Sequence, residues 1–191
     1  MKRYLSIFVI LLFSSVIQLR AEDGSRLWLR MPADGKAKVY AETSSKTIDI
    51  AINELKSYWR GTPVTLSIDK SISNGDGFVI TKDNGIRIRA SRDIGLLYGT
   101  YGLLRYQQTN SLDHLSSKLN APQFTLRILN HWDNLDGSIE RGYAGKSIWK
   151  WDVIPVKSKG SKTKVSSQLS TFNAQLTEYA RANASIGING T

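Results

Sequence analysis

Apolar and polar residues alternate over short segments before residue 91, and this pattern predicts several β-strands. A first strand is predicted where apolar side chains occupy every second position, at Leu27, Leu29 and Met31. Val39 and Tyr40 begin a second extended segment. Three further apolar segments cover residues 64–68, 78–81 and 86–90. The last two flank Asp83-Asn84-Gly85, whose residues tolerate a positive φ, so they predict a β-hairpin.

Two helices are predicted in the same region from apolar residues at helical spacing. The first begins after Ser44 or Ser45, either of which can cap it, and its apolar face carries Ile48, Ile52, Leu55 and Trp59. The second covers Asp93–Gln107 and has a stripe of small residues at Gly95, Gly99 and Gly102. Because glycine inside a helix costs about 1 kcal/mol relative to alanine, this stripe predicts close packing on a sheet or another helix.

The pattern changes after residue 108. Residues 109–123 are polar and lack periodicity, which indicates a linker and a domain boundary near residue 120. Residues 124–128 predict a short buried strand that leads into a polar, aromatic loop over 130–151. A lysine-rich loop at Lys157–Lys164 precedes a helix, whose apolar face carries Phe172, Leu176, Tyr179 and Ala180. Ile186 and Ile188 indicate the beginning of another strand.

The N-terminus has the order of a secretory signal. Two cationic residues at positions 2 and 3 precede an apolar stretch over 5–17, and polar residues follow before Ala21. The stretch is shorter than the roughly 20 residues that a membrane-spanning helix requires. We therefore expect a signal peptide over 1–21, cleavage after Ala21, and a bacterial periplasmic or extracellular protein. The chain has no cysteine, so its core must stabilise the exported protein without disulfides.

The net charge adds little to this picture. Removing residues 1–21 removes Lys2, Arg3 and Arg20 but no carboxylate, so the formal charge falls from +10 to +7. The remaining lysines and arginines are scattered, which favours a solvated surface over a binding footprint. A uronic-acid-bearing polymer is one acidic partner that such a charge would suit. Nucleic-acid binding is disfavoured, because the protein is exported and its lysine-rich loop has no interleaved aromatic residues.

The loop after residue 129 combines the side chains that sugar binding requires. Aromatic faces cover the C–H surface of a pyranose, amide and carboxylate groups satisfy its hydroxyls, and a cation pairs with a uronate. Suitable residues of these types are Trp132, Asn134, Arg141, Lys146 and Trp149. A structural role stays equally open for them, because tryptophans often fill space beneath loops and Arg141 can pair with Glu140 or Asp136.

Catalytic and metal-binding roles are less well supported in this loop. Glycosidases usually place two carboxyl groups on opposite sides of the scissile bond, about 6.5 to 9.5 Å apart in inverting enzymes. Asp133, Asp136 and Glu140 lie within eight residues of one loop and are more suited to orienting each other. A structural role is favoured for His131, and His114 is isolated in the linker, so no metal site is predicted.

Residues 127–149 read RILNHWDNLDGSIERGYAGKSIW, and this segment resembles one family closely. It is similar to the part of family 67 glycoside hydrolases, the α-glucuronidases, in which the first strand of a (β/α)8 barrel leads into an active-site loop. Residues 179–191 resemble that family's first barrel helix and the approach to its second strand. Residues 86–105 resemble the small N-terminal domain that the family shares with the β-hexosaminidases.

This resemblance implies an α/β fold in two parts. It implies a hexosaminidase-like α+β domain over residues 22–120, followed over 121–191 by the first strand and helix of an incomplete (β/α)8 barrel. We then expect residues 123–191 to expose an apolar strand and helix unless another segment or a partner completes the barrel. The segment 153–175 is longer and richer in lysine than the family's usual connection, which puts the geometry after Asp152 in doubt.

The resemblance also implies an activity. It implies an inverting, exo-acting glycosidase that removes α-1,2-linked (4-O-methyl)glucuronic acid from xylo-oligosaccharides. The resemblance implies no cofactor and no membrane or nucleic-acid partner. It is compatible with a homodimer of the full-length parent. The predicted substrate-binding residues are Trp132, Asp133, Asn134, Asp136, Arg141, Lys146 and Trp149. The family's acid and base lie on later strands, beyond Thr191, so this chain alone is expected to be inactive. The alternative is a noncatalytic carbohydrate-binding or interaction module.

Overall fold

The computed structural model describes residues 26–72, 75–134, 136, 139, 147–149 and 167–191. The predicted signal peptide and the lysine-rich loop lie outside these residues. The elements, in chain order, are β1 (Val39–Ala41), α1 (Lys46–Tyr58), β2 (Val64–Ile68), β3 (Phe78–Lys82), β4 (Ile86–Ala90), α2 (Asp93–Gln108), a 3-10 turn (Leu112–His114) and α3 (Ser167–Ser185). The architecture is therefore mixed α/β, as predicted. We refer to residues 26–120 as the N-terminal unit and to residues 121–191 as the C-terminal unit; the boundary between them stays a prediction.

The N-terminal unit is built on a four-stranded sheet in the order β1-β2-β4-β3. The pairs β1–β2 and β2–β4 are parallel, whereas β3 and β4 form an antiparallel hairpin. At the turn of this hairpin, Gly85 has a φ of 150° and its carbonyl accepts a hydrogen bond from the Asp83 amide at 3.0 Å. The predicted hairpin is thus confirmed. Asn120, in the predicted linker, pairs with Phe78 and extends the sheet edge.

Helix α1 forms as its sequence predicts. The Ser45 hydroxyl accepts a hydrogen bond from the Ile48 amide at 3.2 Å and so caps the first turn. Ile48, Leu55 and Trp59 are buried in the core of the unit. The helix ends where the Trp59 indole N–H donates to the Thr62 carbonyl at 2.8 Å.

Helix α2 lies directly on the sheet, and its glycine stripe explains the close approach. A Cβ at Gly95 would lie 2.6 Å from the Gly77 carbonyl oxygen, and one at Gly99 would lie 2.5 Å from the Ile88 side chain. Such distances leave no room for a methyl group. The stripe therefore packs against the sheet, as predicted.

The two faces of the sheet have different environments. Val64, Leu66 and Ile88 are at most 1% exposed and pack with the two helices in a single apolar core. Arg87 and Arg89 alternate with buried residues on β4 and pair with acidic residues outside the core. The N-terminal unit is thus a two-layer structure, with both helices covering one face of the sheet.

The first predicted strand does not form. Leu27 has a φ of 50°, and the Leu29 amide donates to the Arg26 carbonyl at 2.9 Å, so the chain turns over these residues. Only Leu29 is fully buried in the core, whereas Leu27 is exposed. The strand predicted from the alternation of Leu27, Leu29 and Met31 is therefore wrong, because the turn prevents the segment from running along a neighbouring strand.

In the C-terminal unit, two short segments on either side of helix α3 meet at one parallel bridge. Ile128 and Gly190 form a parallel bridge, in which the Leu129 amide donates to Gly190 at 3.1 Å and the Asn189 amide donates to Arg127 at 2.9 Å. Helix α3 lies between these segments in the chain. Within the described residues, no helix combines the length and the apolar character needed to span a lipid bilayer.

The prediction of a buried strand over 124–128 is wrong. Phe124, Leu126 and Ile128 are 67%, 73% and 55% exposed. Among the residues that the structure describes, this segment pairs at a single position, where Ile128 meets Gly190. The exposure of these apolar side chains was expected, but the segment forms no strand beyond this single bridge.

Two largely buried ion pairs, besides an exposed one between Arg26 and Glu178, attach the C-terminal unit to the N-terminal unit. Arg181 of α3 contacts Glu54 of α1 through two charge-assisted hydrogen bonds, at 2.6 and 2.9 Å, and both side chains are nearly buried. Burial opposes the charge of Arg181, but the contact with Glu54 outweighs it and raises the pKa of the guanidinium. Arg127 contacts Asp76 at 2.8 Å, with both side chains 14% exposed.

Candidate functional site

The extended segment that follows Ile128 has two edges with different exposure. The His131 side chain contacts Tyr179 of helix α3, and Asp133 lies beside His131; both are partly buried, whereas Trp132 and Asn134 alternate with them and are exposed. Successive side chains of an extended segment point in opposite directions, which accounts for this alternation. We refer to His131 and Asp133 as the inward edge and to Trp132 and Asn134 as the outward edge.

The inward edge is joined to helix α3 and to the end of the chain by polar contacts. Nε2 of His131 is hydrogen-bonded to the Tyr179 hydroxyl, which lies 3.2 Å from the Thr191 hydroxyl oxygen. On its other side, Nδ1 of His131 lies 3.6 Å from Oδ2 of Asp133, whose side chain is 8% exposed. Among the described residues, this carboxylate oxygen has no hydrogen-bond partner. The spacing places His131 between a phenol and a buried carboxylate.

Three rings form an aromatic cluster, which we define as His131, Trp149 and Tyr179. The Trp149 ring meets the His131 ring edge to face at a centroid separation of 5.5 Å and lies 6.3 Å from Tyr179. The Trp149 amide donates to the Ser147 hydroxyl at 3.0 Å, which orders the backbone at this position. The cluster therefore joins the two ends of the loop to α3.

A cavity of about 620 Å³ lies beside the aromatic cluster, between the two units. Its volume is within the range of roughly 300 to 1,000 Å³ that is typical of small-molecule sites. Its walls include aromatic, amide and charged side chains, among them Asp76, Arg92, Tyr98, Trp149, Tyr179 and Asn189. The mixture is able to contact both the apolar and the hydroxyl surfaces of a ligand.

The charged groups beside this cavity form hydrogen bonds and ion pairs with other groups of the protein. Burial raises the pKa of the Tyr98 phenol, and a hydrogen bond from Arg127 acts against this shift. Burial also opposes the charge of Arg127, but its hydrogen bonds to Asp76 and Tyr98 raise the pKa of the guanidinium. These three groups hold the two units together and are not disposed as a catalytic acid and base.

The predicted substrate-binding residues fall into separate places. Trp132, Asn134 and Asp136 are exposed, Asp133 is on the inward edge, and Trp149 is half-buried against His131. Arg141 and Lys146 lie outside the described residues. Asp133 and Trp149 are brought together around His131, whereas Trp132 and Asn134 share the outward edge.

Two residues of the site were not identified as a pair from the sequence. The sequence predicts Tyr179 only as part of the apolar face of a helix, and it indicates no partner for His131. The available signal was the two-residue spacing of His131 and Asp133, which predicts one shared side of an extended segment. Across the described residues, no three histidine, aspartate or glutamate side chains are grouped as metal ligands.

An aromatic and polar loop beside a cavity of this size is typical of a small-molecule binding site. Comparison of the sequence supports the resemblance. Residues 105–191 match the glycosyl hydrolase family 67 middle domain. This match confirms the resemblance found in residues 127–149.

Relatives named as α-glucuronidases support the assignment. The chain is 29% identical over 216 residues to the probable alpha-glucuronidase A of Aspergillus terreus, an alignment that covers 89% of this chain and 23% of the relative. It is 38% identical over 117 residues to the probable alpha-glucuronidase A of Aspergillus clavatus, covering 60% of this chain and 12% of the relative. With the alpha-glucuronidase A of Aspergillus tubingensis the identity is 35% over 115 residues, and the shares are again 60% and 12%. The chain thus spans less than a quarter of the length of these relatives.

Proposed function

We propose that the full protein hydrolyses the α-1,2 bond between (4-O-methyl)glucuronic acid and xylo-oligosaccharides, and that this chain contributes substrate recognition. The observation that carries the proposal is the outward edge, where an exposed tryptophan and an exposed asparagine follow a strand. The Trp132 ring offers a flat face to a pyranose, and the Asn134 amide offers a donor and an acceptor to its hydroxyls.

The architecture supports placing recognition at this edge. We infer that the strand around Ile128, helix α3 and the segment around Gly190 are the first strand, helix and second strand of a (β/α)8 barrel. In such barrels the active site lies at the carboxyl ends of the strands. The outward edge follows the carboxyl end of the first strand and points away from α3, which is the direction of the barrel axis. The N-terminal unit then corresponds to the family's hexosaminidase-like domain.

The acid and base of an inverting mechanism are proposed to lie outside this chain. Inversion requires two carboxyl groups about 6.5 to 9.5 Å apart, with the sugar and a water between them. Asp133 is buried against His131, and Asp136 is exposed on the same loop. Glu140 lies outside the described residues. Since Asp133 and Asp136 belong to one short segment, they are poorly suited to act from opposite faces of a sugar.

Secretion of the protein would bring it to this substrate. Xylan is a polymer outside the cell, and residues 1–21 have the charged, apolar and polar order of a secretory signal. We therefore propose that the protein acts in the periplasm or outside the cell. A fusion of residues 1–30 to a reporter, followed by N-terminal sequencing of the exported product, is expected to show cleavage after Ala21; a reporter retained in the cytoplasm would contradict the proposal.

The activity is tested by measuring glucuronic acid release from aldouronic oligosaccharides. The assay compares this chain with a version extended through the coding sequence that follows Thr191. We expect release only from the extended protein, with the product anomer inverted when followed by proton NMR. A folded extended protein that releases no uronic acid would contradict the proposal.

The second candidate is a carbohydrate-binding module without hydrolytic activity. The observation that favours it is the lack of two opposed carboxylates around the cavity, among the residues that the structure describes. This candidate predicts that the chain binds aldouronic oligosaccharides, measured by calorimetry, and that the extended protein binds but does not cleave them. Cleavage by the extended protein would exclude it.

A further inference from the structure

A line of polar groups crosses the base of the loop and is not explained by sugar binding. It runs from the Thr191 hydroxyl through Tyr179 and His131 to Asp133, and it joins residues that are far apart in the sequence. Asp133 ends the line with a carboxylate oxygen that is buried and, within the described part of the chain, has no hydrogen-bond partner. A buried carboxylate oxygen that accepts no hydrogen bond destabilises the folded protein, so a nearby donor would stabilise it.

Nδ1 of His131 lies 3.6 Å from that oxygen. An unprotonated Nδ1 would direct its lone pair at the carboxylate, which is unfavourable, whereas a protonated Nδ1 offers the donor that Asp133 lacks. In a neutral imidazole the other nitrogen, Nε2, is then an acceptor. The Tyr179 hydroxyl must therefore donate to Nε2, and it is left to accept from the Thr191 hydroxyl.

We propose that His131 is a positioning residue, which carries its proton on Nδ1 and holds the loop by accepting from Tyr179 and facing Asp133. Trp132 lies between the two inward residues in the chain, so fixing His131 and Asp133 fixes the direction of the Trp132 side chain. This step rests on the proposed function, because it assigns to the inward edge the task of orienting the sugar-binding outward edge.

The proton position is tested by nitrogen-15 NMR of the two histidine rings at pH 8, where an ordinary imidazole is uncharged. The chain has two histidines, and His114 in the linker serves as an internal control. We expect His131 to show a protonated Nδ1 and an unprotonated Nε2, and His114 to show an average of both tautomers. A protonated Nε2 in His131, or an average like that of His114, would overturn the proposal.

The positioning role is tested by kinetics on the extended protein. An asparagine side chain can reproduce the Nδ1 donor of histidine, and a glutamine side chain can reproduce the Nε2 acceptor. We expect His131→Gln to raise KM about tenfold or more and His131→Asn to raise it less, because only the asparagine still offers a donor to Asp133. In both variants kcat is expected to stay within about twofold of the wild type.

Tyr179→Phe removes one hydroxyl and keeps the ring in the aromatic cluster. We expect it to raise KM about three- to tenfold, while the matched variant Tyr106→Phe, on α2 and remote from the loop, leaves KM unchanged. Equal losses of kcat in the His131 and Tyr179 variants, or no change in KM, would overturn the positioning role. An inactive wild type would contradict the proposed function instead, and the NMR result would still decide the proton position.

Discussion

The two units of this protein are stabilised in different ways. In the N-terminal unit, the central strand residue Ile88 is 0% exposed, because two helices cover one face of the sheet. In the C-terminal unit, the comparable strand residue Ile128 is 55% exposed, and the unit is attached through ion pairs such as Arg181–Glu54. Apolar burial holds the first unit together, whereas the second unit is attached to it by buried ion pairs together with a smaller apolar contact at Ala184.

The difference suggests that the N-terminal unit provides stability and that the C-terminal unit carries the residues proposed for recognition. The N-terminal unit has its own closed core, so a ligand has little access to its interior. The C-terminal unit leaves the apolar residues Phe124, Leu126 and Ile128 exposed, and the outward edge, with Trp132 and Asn134, follows them in the chain. Binding residues are commonly carried by loops that a rigid scaffold positions. Here the rigid scaffold is the N-terminal unit, and the ion pairs connect it to the loop-bearing unit.

The largest expected effect comes from breaking the buried ion pair. Arg181→Met leaves the nearly buried Glu54 carboxylate without its partner, so we expect a loss of about 3 to 5 kcal/mol in the free energy of unfolding. The matched control is Arg87→Met, whose pair with Glu42 is about half exposed and is expected to contribute no more than about 1 kcal/mol. Urea denaturation measures both variants, and equal losses would refute the distinction.

The contrast between the two strands is tested with one substitution in each unit. Ile88→Ala removes buried methyl groups and is expected to cost about 2 to 5 kcal/mol of stability. Ile128→Ala removes the same groups from an open strand face and is expected to cost about 1 kcal/mol or less. Thermal and urea unfolding give the two values. A cost at Ile128 as large as that at Ile88 would show that the open face is covered in solution.

A smaller effect is expected from filling the glycine stripe of α2. Gly95→Ala would place a Cβ 2.6 Å from a backbone carbonyl oxygen, so overpacking is expected to cost about 1 to 3 kcal/mol. At Gly102 the new Cβ would meet the end of the Phe78 ring at 3.0 Å, and this ring can shift. We therefore expect Gly102→Ala to cost less, with both measured by urea denaturation. A higher free energy of unfolding for Gly95→Ala than for the wild type would contradict the close approach of α2 to the sheet.

Local patterns in the sequence were sufficient for most of the N-terminal unit. The cap at Ser45, the turn at Asp83–Gly85 and the glycine stripe each depend on residues close together in the chain, and all three are confirmed. The strand predicted at Leu27–Met31 failed for a reason that alternation cannot reveal. A strand needs a neighbour, and the turn at Leu27 takes this segment away from one.

The candidate site was only partly predictable, because its contacts join distant segments. The His131–Tyr179 contact spans 48 residues, and the Arg181–Glu54 contact spans 127 residues. Residue types suggested sugar recognition over 130–149, but they did not separate the inward edge from the outward edge. That separation follows from the position of α3, which no local pattern determines.

The central claim is that the outward edge recognises the sugar, and calorimetry with an aldouronic oligosaccharide tests it most directly. The measurement compares the wild type, Trp132→Ala and Leu126→Ala, since both residues are large, apolar and exposed. We predict that Trp132→Ala weakens binding about tenfold or more, which corresponds to roughly 1.4 kcal/mol, and that Leu126→Ala binds like the wild type. Unchanged affinity in Trp132→Ala would contradict the claim.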